Sequence, residues 1–377
     1  MTILSAIKKT CILLAATTVS LPSMATDEED IRKTLNHYIN GTSYSRPAEI
    51  NQAFHETANL YLSKKDEPHW IVPSGEYASW FGRGTPGTYT GRIGEILSMD
   101  ISGETATAKV EILVPGRKAR YVDQFLVKKF NDEWKIIAKT ASSAEASNHG
   151  DRILFILSNQ AFHGSTDLPA GASFSEIVFA YDEFKKHGYT VDFVTPEGGA
   201  LPLAYINTSV DLHRQYVYDQ DFMYALGHTK KPEEVDPSRY KAVHYVGGSN
   251  AMYGVADNKA LQNISMEIYE KHGGIVSSVC HGTAGIVNLK KEDGSYLVAG
   301  KRVVGYPEDY ERQTAEYFKQ FPLLIGQSVK EHDGDFRFGP RNQAFVEVDG
   351  RLITGQNHLS SRLVVQKIVE ALDKQSQ

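Results

Sequence analysis

The sequence predicts an α+β domain followed by an α/β domain with a doubly wound, mostly parallel sheet. Three observations support this fold class. Residues 26–140 show helical spacing first and period-two strands afterwards. A small, polar segment at residues 141–150 then separates this part from the rest as a linker. Residues 151–377 alternate continuous apolar strands with amphipathic helices, which is the pattern of βαβ units.

Length and composition bound the class of protein. The chain has 377 residues, enough for two domains, and its 41% apolar content allows a sizeable core. The formal charge is −6 and no basic run occurs, so we do not expect a nucleic-acid partner. No stretch of 18 or more apolar residues follows the N-terminal region, so we expect no internal membrane span.

Residues 1–25 have the features of a secretory signal peptide. Lys8 and Lys9 precede a short apolar run at residues 11–21, and a cleavage site is expected after Ala25. Cleavage removes two lysines and no acidic residue, which moves the formal charge from −6 to −8. The sequence therefore predicts an exported protein, periplasmic or secreted, with no membrane attachment after signal removal. An uncleaved membrane anchor is the alternative.

The first domain, residues 26–140, begins with a helix whose apolar face carries Ile31, Leu35 and Tyr38. Strands follow at residues 106–114, 121–130 and 134–139, the last two joined by a turn at 131–133. Helices followed by an antiparallel meander indicate an α+β domain with a curved sheet.

The ending of this segment, a long strand, an Asn-Asp-Glu turn and then Trp-Lys-Ile-Ile, resembles the SnoaL-like, nuclear-transport-factor-like cone fold, in its lumazine-binding branch. His55, His69 and Asp123 are candidate site residues by residue type alone. We therefore interpret this domain as a structural, dimerising or pocket-bearing module without catalysis.

The second domain opens with a buried strand at residues 152–157. A helix follows with apolar residues at helical spacing, and Gly188 ends it before a strand at residues 190–194. Further strands are predicted at residues 242–246, 275–279 and 345–348, and helices at 259–271, 283–289 and 360–372. The Tyr-rich stretch at residues 205–240 interrupts the alternation, either as a lid over a site or as a surface excursion.

Cys280 is the main candidate for chemistry. It is the only cysteine after signal removal, so a disulfide framework is impossible. Buried strand residues run directly into Cys280, His281 and Gly282, and small residues then open a helix. This pattern predicts a nucleophile elbow, with the helix N-terminus expected to lower the pKa of the thiol. A buried, inert cysteine is the alternative.

Residues 151–372 resemble the ThiJ/PfpI superfamily, and within it the glyoxalase III/heat-shock chaperone branch with a flavodoxin-like fold. The resemblance rests on the cysteine elbow and on three further segments with matching signatures: Ala170–Glu176, Val246–Gly248 and Asp349–Asn357. One departure is that Ser249 and Asn250 follow the glycine pair where this branch usually has His-Gly. Side-chain contacts to the substrate at that point are therefore not carried over.

The resemblance implies a role for each matching residue. Cys280 is the expected nucleophile, with His281 as its base or thiolate partner. An acidic third member is implied within residues 305–311, where Glu311 is preferred and Glu308 and Asp309 stay open.

The resemblance also assigns Glu176 and the oxyanion hole. Glu176 is the expected buried carboxyl beside the sulfur, its pKa raised by desolvation for proton transfer. The N–H groups of Gly248 and His281 are expected to form the oxyanion hole.

These roles lead to a cofactor-free, metal-free cysteine enzyme with a small carbonyl substrate, converting a 2-oxoaldehyde such as methylglyoxal to a 2-hydroxy acid. A cysteine hydrolase on small amides or peptides is the alternative enzyme, and a stress-response holdase or redox sensor the non-enzymatic alternative. Class I amidotransfer is rejected, because His358 is followed by Leu359 and Ser360 rather than by the His-x-Glu pair. Both resembled families commonly form homodimers, although no residue pattern here specifies one.

Overall fold

The computed structural model describes residues 27–64 and 66–375. The predicted signal peptide, residues 1–25, lies outside the described residues. No helix in the described part of the chain combines the length and the apolar character that a membrane crossing requires.

The first domain is a six-stranded curved sheet with helices packed on one face. Its sheet order is β2-β1-β6-β5-β4-β3, and every pair is antiparallel except β1 with β6. Its strands are β1 (Phe54–Lys64), β2 (Glu67–Pro73), β3 (Ile93–Ser102), β4 (Thr105–Val114), β5 (Ala119–Phe130) and β6 (Glu133–Glu145). Its helices are α1 (Asp27–Ser43), α2 (Pro47–Ala53) and α3 (Ser74–Ser79). The predicted apolar face of α1 is fully buried in the core.

The predicted linker begins too early. Strand β6 continues to Glu145, and its residues 141–145 pair with residues 119–123 of β5. The small, polar composition of this segment suggested a linker, but these residues are held by backbone ladder bonds rather than by side-chain burial. An exposed strand end of this kind has no apolar alternation to reveal it.

The second domain has the doubly wound arrangement that the sequence predicts. Its main sheet has the order β15-β16-β12-β11-β7-β9, parallel throughout except for the edge strand β15. The main-sheet strands are β7 (Arg152–Ile156), β9 (Thr190–Val194), β11 (Tyr240–Tyr245), β12 (Ile275–Val279), β15 (Val346–Asp349) and β16 (Leu352–Gly355). Short strand pairs outside it are β8 (Ala172–Ser173) with β10 (Leu203–Ala204), and β13 (Arg302–Val304) with β14 (Asp335–Arg337).

Helices cover both faces of this sheet, and two of them differ from prediction. They are α4 (Phe174–Lys186), α5 (Asp211–Val217), α6 (Gln220–Gly227), α7 (Lys259–Met266), α8 (Glu316–Lys319), α9 (Ile325–Glu331) and α10 (Ser361–Gln375). The predicted helix at residues 259–271 changes at its end from α7 into a π-helical turn, Glu267–Lys271. The predicted helix at residues 283–289 is instead a 3₁₀ segment, Cys280–Ile286, which starts at the cysteine itself.

A partly buried ion cluster joins the two domains. Arg152 at the start of β7 pairs with Asp192 of β9 and donates to Glu95 of the first domain at 2.8 Å. Lys230 lies 3.2 Å from Asp192 and 4.0 Å from Glu95. Helix α6 adds Asp221, which accepts from Lys109 of β4 at 2.7 Å. Much of the 205–240 excursion therefore serves as contact between the domains.

Candidate active site

Cys280 lies where β12 ends and the chain turns sharply. Its φ of 57° is in the left-handed region, which costs a non-glycine residue about 1–3 kcal/mol and is maintained only by the surrounding structure. The turn leaves the residue 7% exposed at the carboxyl edge of the parallel sheet. This is the geometry of a nucleophile elbow.

Close packing against the neighbouring strand holds this turn in place. A methyl group added at Gly282 would overlap the carbonyl oxygen of Tyr245, the last residue of β11. One added at Gly285 would overlap the Tyr245 ring. The small residues after the cysteine are needed because the turn rests directly on the neighbouring strand.

His281 connects the cysteine to a carboxylate. Its Nδ1 lies 3.5 Å from the Cys280 sulfur, and its Nε2 lies 2.7 Å from Oε1 of Glu311. Because an ionised carboxylate can only accept, we assign the ring proton to Nε2, which leaves Nδ1 free to accept the thiol proton. Glu308 instead accepts from the backbone N–H of Gln327, so Glu311 is the acidic residue that contacts the histidine.

Glu311 is held as an anion. Tyr317 donates to its Oε2 at 2.8 Å. Burial raises the pKa of the Glu311 carboxyl, but the hydrogen bond and charge of His281 outweigh this and leave the pKa below its ordinary value. Tyr306 stacks on the His281 ring with a centroid distance of 4.8 Å, which fixes the ring plane. The cysteine, histidine and glutamate thus form a connected triad.

Glu176 approaches the sulfur from a separate element. It lies in the first turn of α4, where the Ser173 hydroxyl caps the helix by accepting from the Glu176 N–H. Its carboxyl is 2% exposed, accepts from the Gly247 N–H at 2.9 Å and hydrogen-bonds the Cys280 thiol. Burial raises the pKa of Glu176 to about 8, so the carboxyl is largely protonated at neutral pH.

The thiol pKa differs from the sequence-based expectation. Burial raises the pKa of Cys280 well above its ordinary value, and negative charge on Glu176 raises it further, while the His281 N–H lowers it. The expected lowering does not occur, because burial outweighs the His281 N–H, and the segment after the cysteine is a 3₁₀ turn rather than the predicted helix. At neutral pH the Cys280 thiol and the Glu176 carboxyl therefore both hold their protons, so a thiolate forms only when a base such as His281 accepts the thiol proton.

The two predicted oxyanion donors lie beside this pair. The N–H of His281 points at the sulfur. Gly248 has φ 116° and packs against the backbone of residues 171–173, where any side chain would overlap. Among the described residues no acceptor binds the Gly248 N–H.

Ser249 and Asn250, which depart from the resembled branch, have structural contacts. The Ser249 hydroxyl accepts from the Gly171 N–H at 3.4 Å. Asn250 is fully buried and donates to the Ser158 carbonyl at 2.9 Å, which ties the loop to the end of β7. These contacts anchor the glycine loop that faces the cysteine.

Several aromatic residues around the site were not predicted. Tyr205 follows β10 with φ 61°, is 63% exposed, and directs its hydroxyl towards Ser249 at the rim. His163 hydrogen-bonds the Tyr253 hydroxyl and packs on Tyr317. Tyr205 begins the Tyr-rich stretch, which was the only available signal. Of the helices that follow, α5 contacts the start of α4 through His213 and Ser175, and α6 contacts the first domain.

The candidates in the first domain are not brought together. His55 packs on Phe130 and binds Thr57, and His69 is exposed. Asp123 is 1% exposed and pairs with Lys139 at 2.7 Å. Within residues 27–64 and 66–375, no group of three or more His, Cys, Asp or Glu side chains is arranged to hold a metal ion.

The fold and this site define a class: an α/β domain with a cysteine elbow, a histidine directly after it and a buried glutamate. Residues 168–371, just over half of the chain, match the DJ-1/PfpI family, and the chain belongs to that family. Residues 26–142 match the family described as "Putative lumazine-binding". Both matches confirm the resemblances inferred from sequence.

Relatives of known name align with the second domain. The probable glutathione-independent glyoxalase HSP32 of Saccharomyces cerevisiae is 28% identical over 233 residues, 58% of this chain and 97% of the relative. Glyoxalase 3 of Candida albicans is 27% identical over 225 residues, 57% of this chain and 94% of the relative. The crystal structure of glyoxalase III from Candida albicans superimposes with a TM-score of 0.54 at 24% identity, covering 60% of this chain and 98% of that one. At that identity the structural likeness supports the fold alone.

Proposed function

We propose that the second domain converts a 2-oxoaldehyde such as methylglyoxal to the corresponding 2-hydroxy acid without glutathione. The observation that carries the proposal is the pair of acid–base groups on opposite sides of one thiol. His281, held by Glu311, can take the thiol proton, while Glu176 has a pKa near 8 and can exchange a proton at working pH. Names of relatives at about 27% identity support the same reaction.

The first step is addition of Cys280 to the aldehyde. The sulfur forms a bond to C1 as the C1–O π bond breaks, the thiol proton passes to His281, and the resulting oxyanion then takes that proton from His281 to become a hydroxyl. The N–H groups of Gly248 and His281 are the donors available to that oxygen. The product is a hemithioacetal with the C2 carbonyl still intact.

The second step is an internal redox transfer that needs no external oxidant. Glu176, in the ionised fraction that a pKa of about 8 leaves at working pH, removes the proton from C1 and delivers it to C2 of the resulting enediolate, while the proton of the C1 hydroxyl passes to the C2 oxygen. C1 is thereby oxidised to a thioester and C2 is reduced to a secondary alcohol. Water then cleaves the thioester, releasing the 2-hydroxy acid and restoring the thiol, so the overall change is the addition of one water to the substrate.

A cysteine hydrolase needs the thiol, the histidine and the oxyanion donors but has no task for a proton-exchanging Glu176. Replacing Glu176 therefore distinguishes the two hypotheses, because only the glyoxalase reaction depends on that residue. A redox sensor needs an accessible thiol, whereas Cys280 is only 7% exposed and bound to Glu176.

The test is production of lactate from methylglyoxal by the purified chain in glutathione-free buffer. Cys280→Ala and Glu176→Gln are expected to reduce the rate to background, and Glu311→Gln to lower it at least about tenfold by releasing the His281 ring. Glu308→Gln is the matched control, because Glu308 contacts Gln327 rather than the histidine. Lactate formation that survives in Cys280→Ala, or its absence from the wild type, refutes the proposal.

A further inference from the structure

A second cluster of charged residues lies inside the first domain. Asp123 and Lys139 are 1% and 4% exposed and pair at 2.7 Å. The Tyr38 hydroxyl donates to the other Asp123 oxygen at 2.5 Å, and Tyr77 donates to Tyr38 at 3.1 Å. Both oxygens of the aspartate are therefore already engaged.

Arg92, just before β3, belongs to the same cluster but has no anionic partner. Its Nε is shielded from solvent without an acceptor, and no hydrogen bond or ion pair involves this side chain among the described residues. Asp123 is the carboxylate whose charge favours the protonated form of Arg92, but Lys139 already balances that charge. Counting Asp123, Lys139 and Arg92, the cluster holds one unbalanced positive charge. Arg92 as a whole is half-buried, and its shielded Nε–H without an acceptor costs free energy unless something binds it.

Aromatic rings surround the guanidinium. Its central carbon lies 5.5 Å from the centroid of Phe81 and 5.8 Å from that of Tyr121. The Tyr77 ring packs edge-on against Phe81 and against Trp80, at 5.3 and 5.2 Å. Ring faces stabilise the cation but cannot accept its directed N–H bonds. An anion that accepted from the guanidinium would complete this environment, and a planar one could also contact these rings.

We propose that the first domain binds a small aromatic carboxylate, with Arg92 pairing its carboxylate group and Phe81 and Tyr121 contacting its ring. The fork of donors on a guanidinium matches a carboxylate bidentately, which a tetrahedral anion or a neutral amide does less well. This site is separate from Cys280 and its chemistry is independent of the proposed activity.

The experiment uses the full chain and benzoate as the probe, with isothermal titration calorimetry as the readout. Benzamide is the matched neutral ligand and inorganic phosphate the anion without a ring. We expect one benzoate site per chain, with benzamide and phosphate each at least about tenfold weaker, as the loss of a charge-assisted bond pair or of the ring contacts requires. Equal binding of benzamide, tighter binding of phosphate, or no benzoate binding at millimolar concentration overturns the proposal.

Variants locate the site. Arg92→Met and Arg92→Lys are expected to weaken benzoate binding at least about tenfold, the first by removing the charge and the second by removing the planar fork. Arg83→Met is the control, since Arg83 is an exposed arginine in the same segment as Phe81. Cys280→Ala should leave benzoate binding unchanged. Benzoate binding that survives both Arg92 substitutions, or that is lost in Cys280→Ala, places the ligand elsewhere and overturns the proposal.

Discussion

Glu176→Gln should change how the stability of the second domain depends on pH. The carboxyl has a pKa of about 8 in the folded chain, against an ordinary value of 4.5. Between these values the native state keeps a proton that the unfolded chain has released. This group's contribution to stability is therefore complete below pH 4.5 and is lost as the pH rises towards 8.

The magnitude follows from linkage. Each pH unit within the interval is worth about 1.4 kcal/mol, and the slope flattens near pH 8, so the wild type loses about 3–4 kcal/mol between pH 5 and pH 8 through this residue. Glutamine keeps an oxygen for the Gly247 N–H and an N–H for the sulfur but does not titrate. The free energy of unfolding of Glu176→Gln, relative to wild type, should therefore rise by about that amount over the same range.

Urea unfolding followed by circular dichroism at several pH values measures this difference. Other titrating groups, including His244 with its pKa lowered to about 3 by burial, are common to both proteins and cancel. Trp70, Trp80 and Trp134 all lie in the first domain, so their fluorescence provides an internal control that should not differ between the two proteins. A difference that stays constant within about 1 kcal/mol from pH 5 to 8 would mean that Glu176 is ionised in the native state, and would refute the reasoning.

Gly282→Ala should lower the free energy of unfolding by at least about 2 kcal/mol, because the added methyl group would overlap the Tyr245 backbone. Gly75→Ala, which has open space around it, should not destabilise the protein, and thermal unfolding compares the two variants. Tyr317→Phe should reduce kcat about three- to tenfold with little change in KM, since it removes one donor from Glu311; unchanged kinetics would exclude a positioning role. We propose that the protein is exported, and expect its mature form in a Gram-negative host to begin at Thr26 by mass spectrometry; an intact Met1 there would contradict this.

The second domain could be predicted closely because its signals are local. The strand at residues 190–194 matches the predicted bounds, and the strand ending at Val279 places Cys280 at the elbow. The position of Glu176 beside Cys280 was predicted from the family resemblance. Nothing in a single sequence indicates that α4 starts beside a cysteine that lies 104 positions after Glu176. The 3₁₀ turn after Cys280 was missed because small residues suit either kind of helix.

The remaining site features depend on long-range packing. Tyr306 and Tyr317 contact the triad, and Tyr205 lies at the rim beside Ser249; they come from two loops and the four-residue helix α8, which are too short to carry a periodic signal. Asp123 was identified by residue type alone. Its burial depends on Tyr38, 85 positions away, and that contact exists only once the sheet curves around α1.

The ion cluster between the domains bears on how two unrelated folds can become one protein. Within the second domain, Arg152 and Lys230 face a single acid, Asp192, and Glu95 of the first domain supplies the balancing negative charge. If the chain were cut at residue 151, the α/β domain would retain two cations, Arg152 and Lys230, and only one anion, Asp192, at the edge that the cut exposes. Fusion has thus made the partner domain a component of the electrostatic balance, and a free-standing version would require a new acid near position 152 or the loss of a cation.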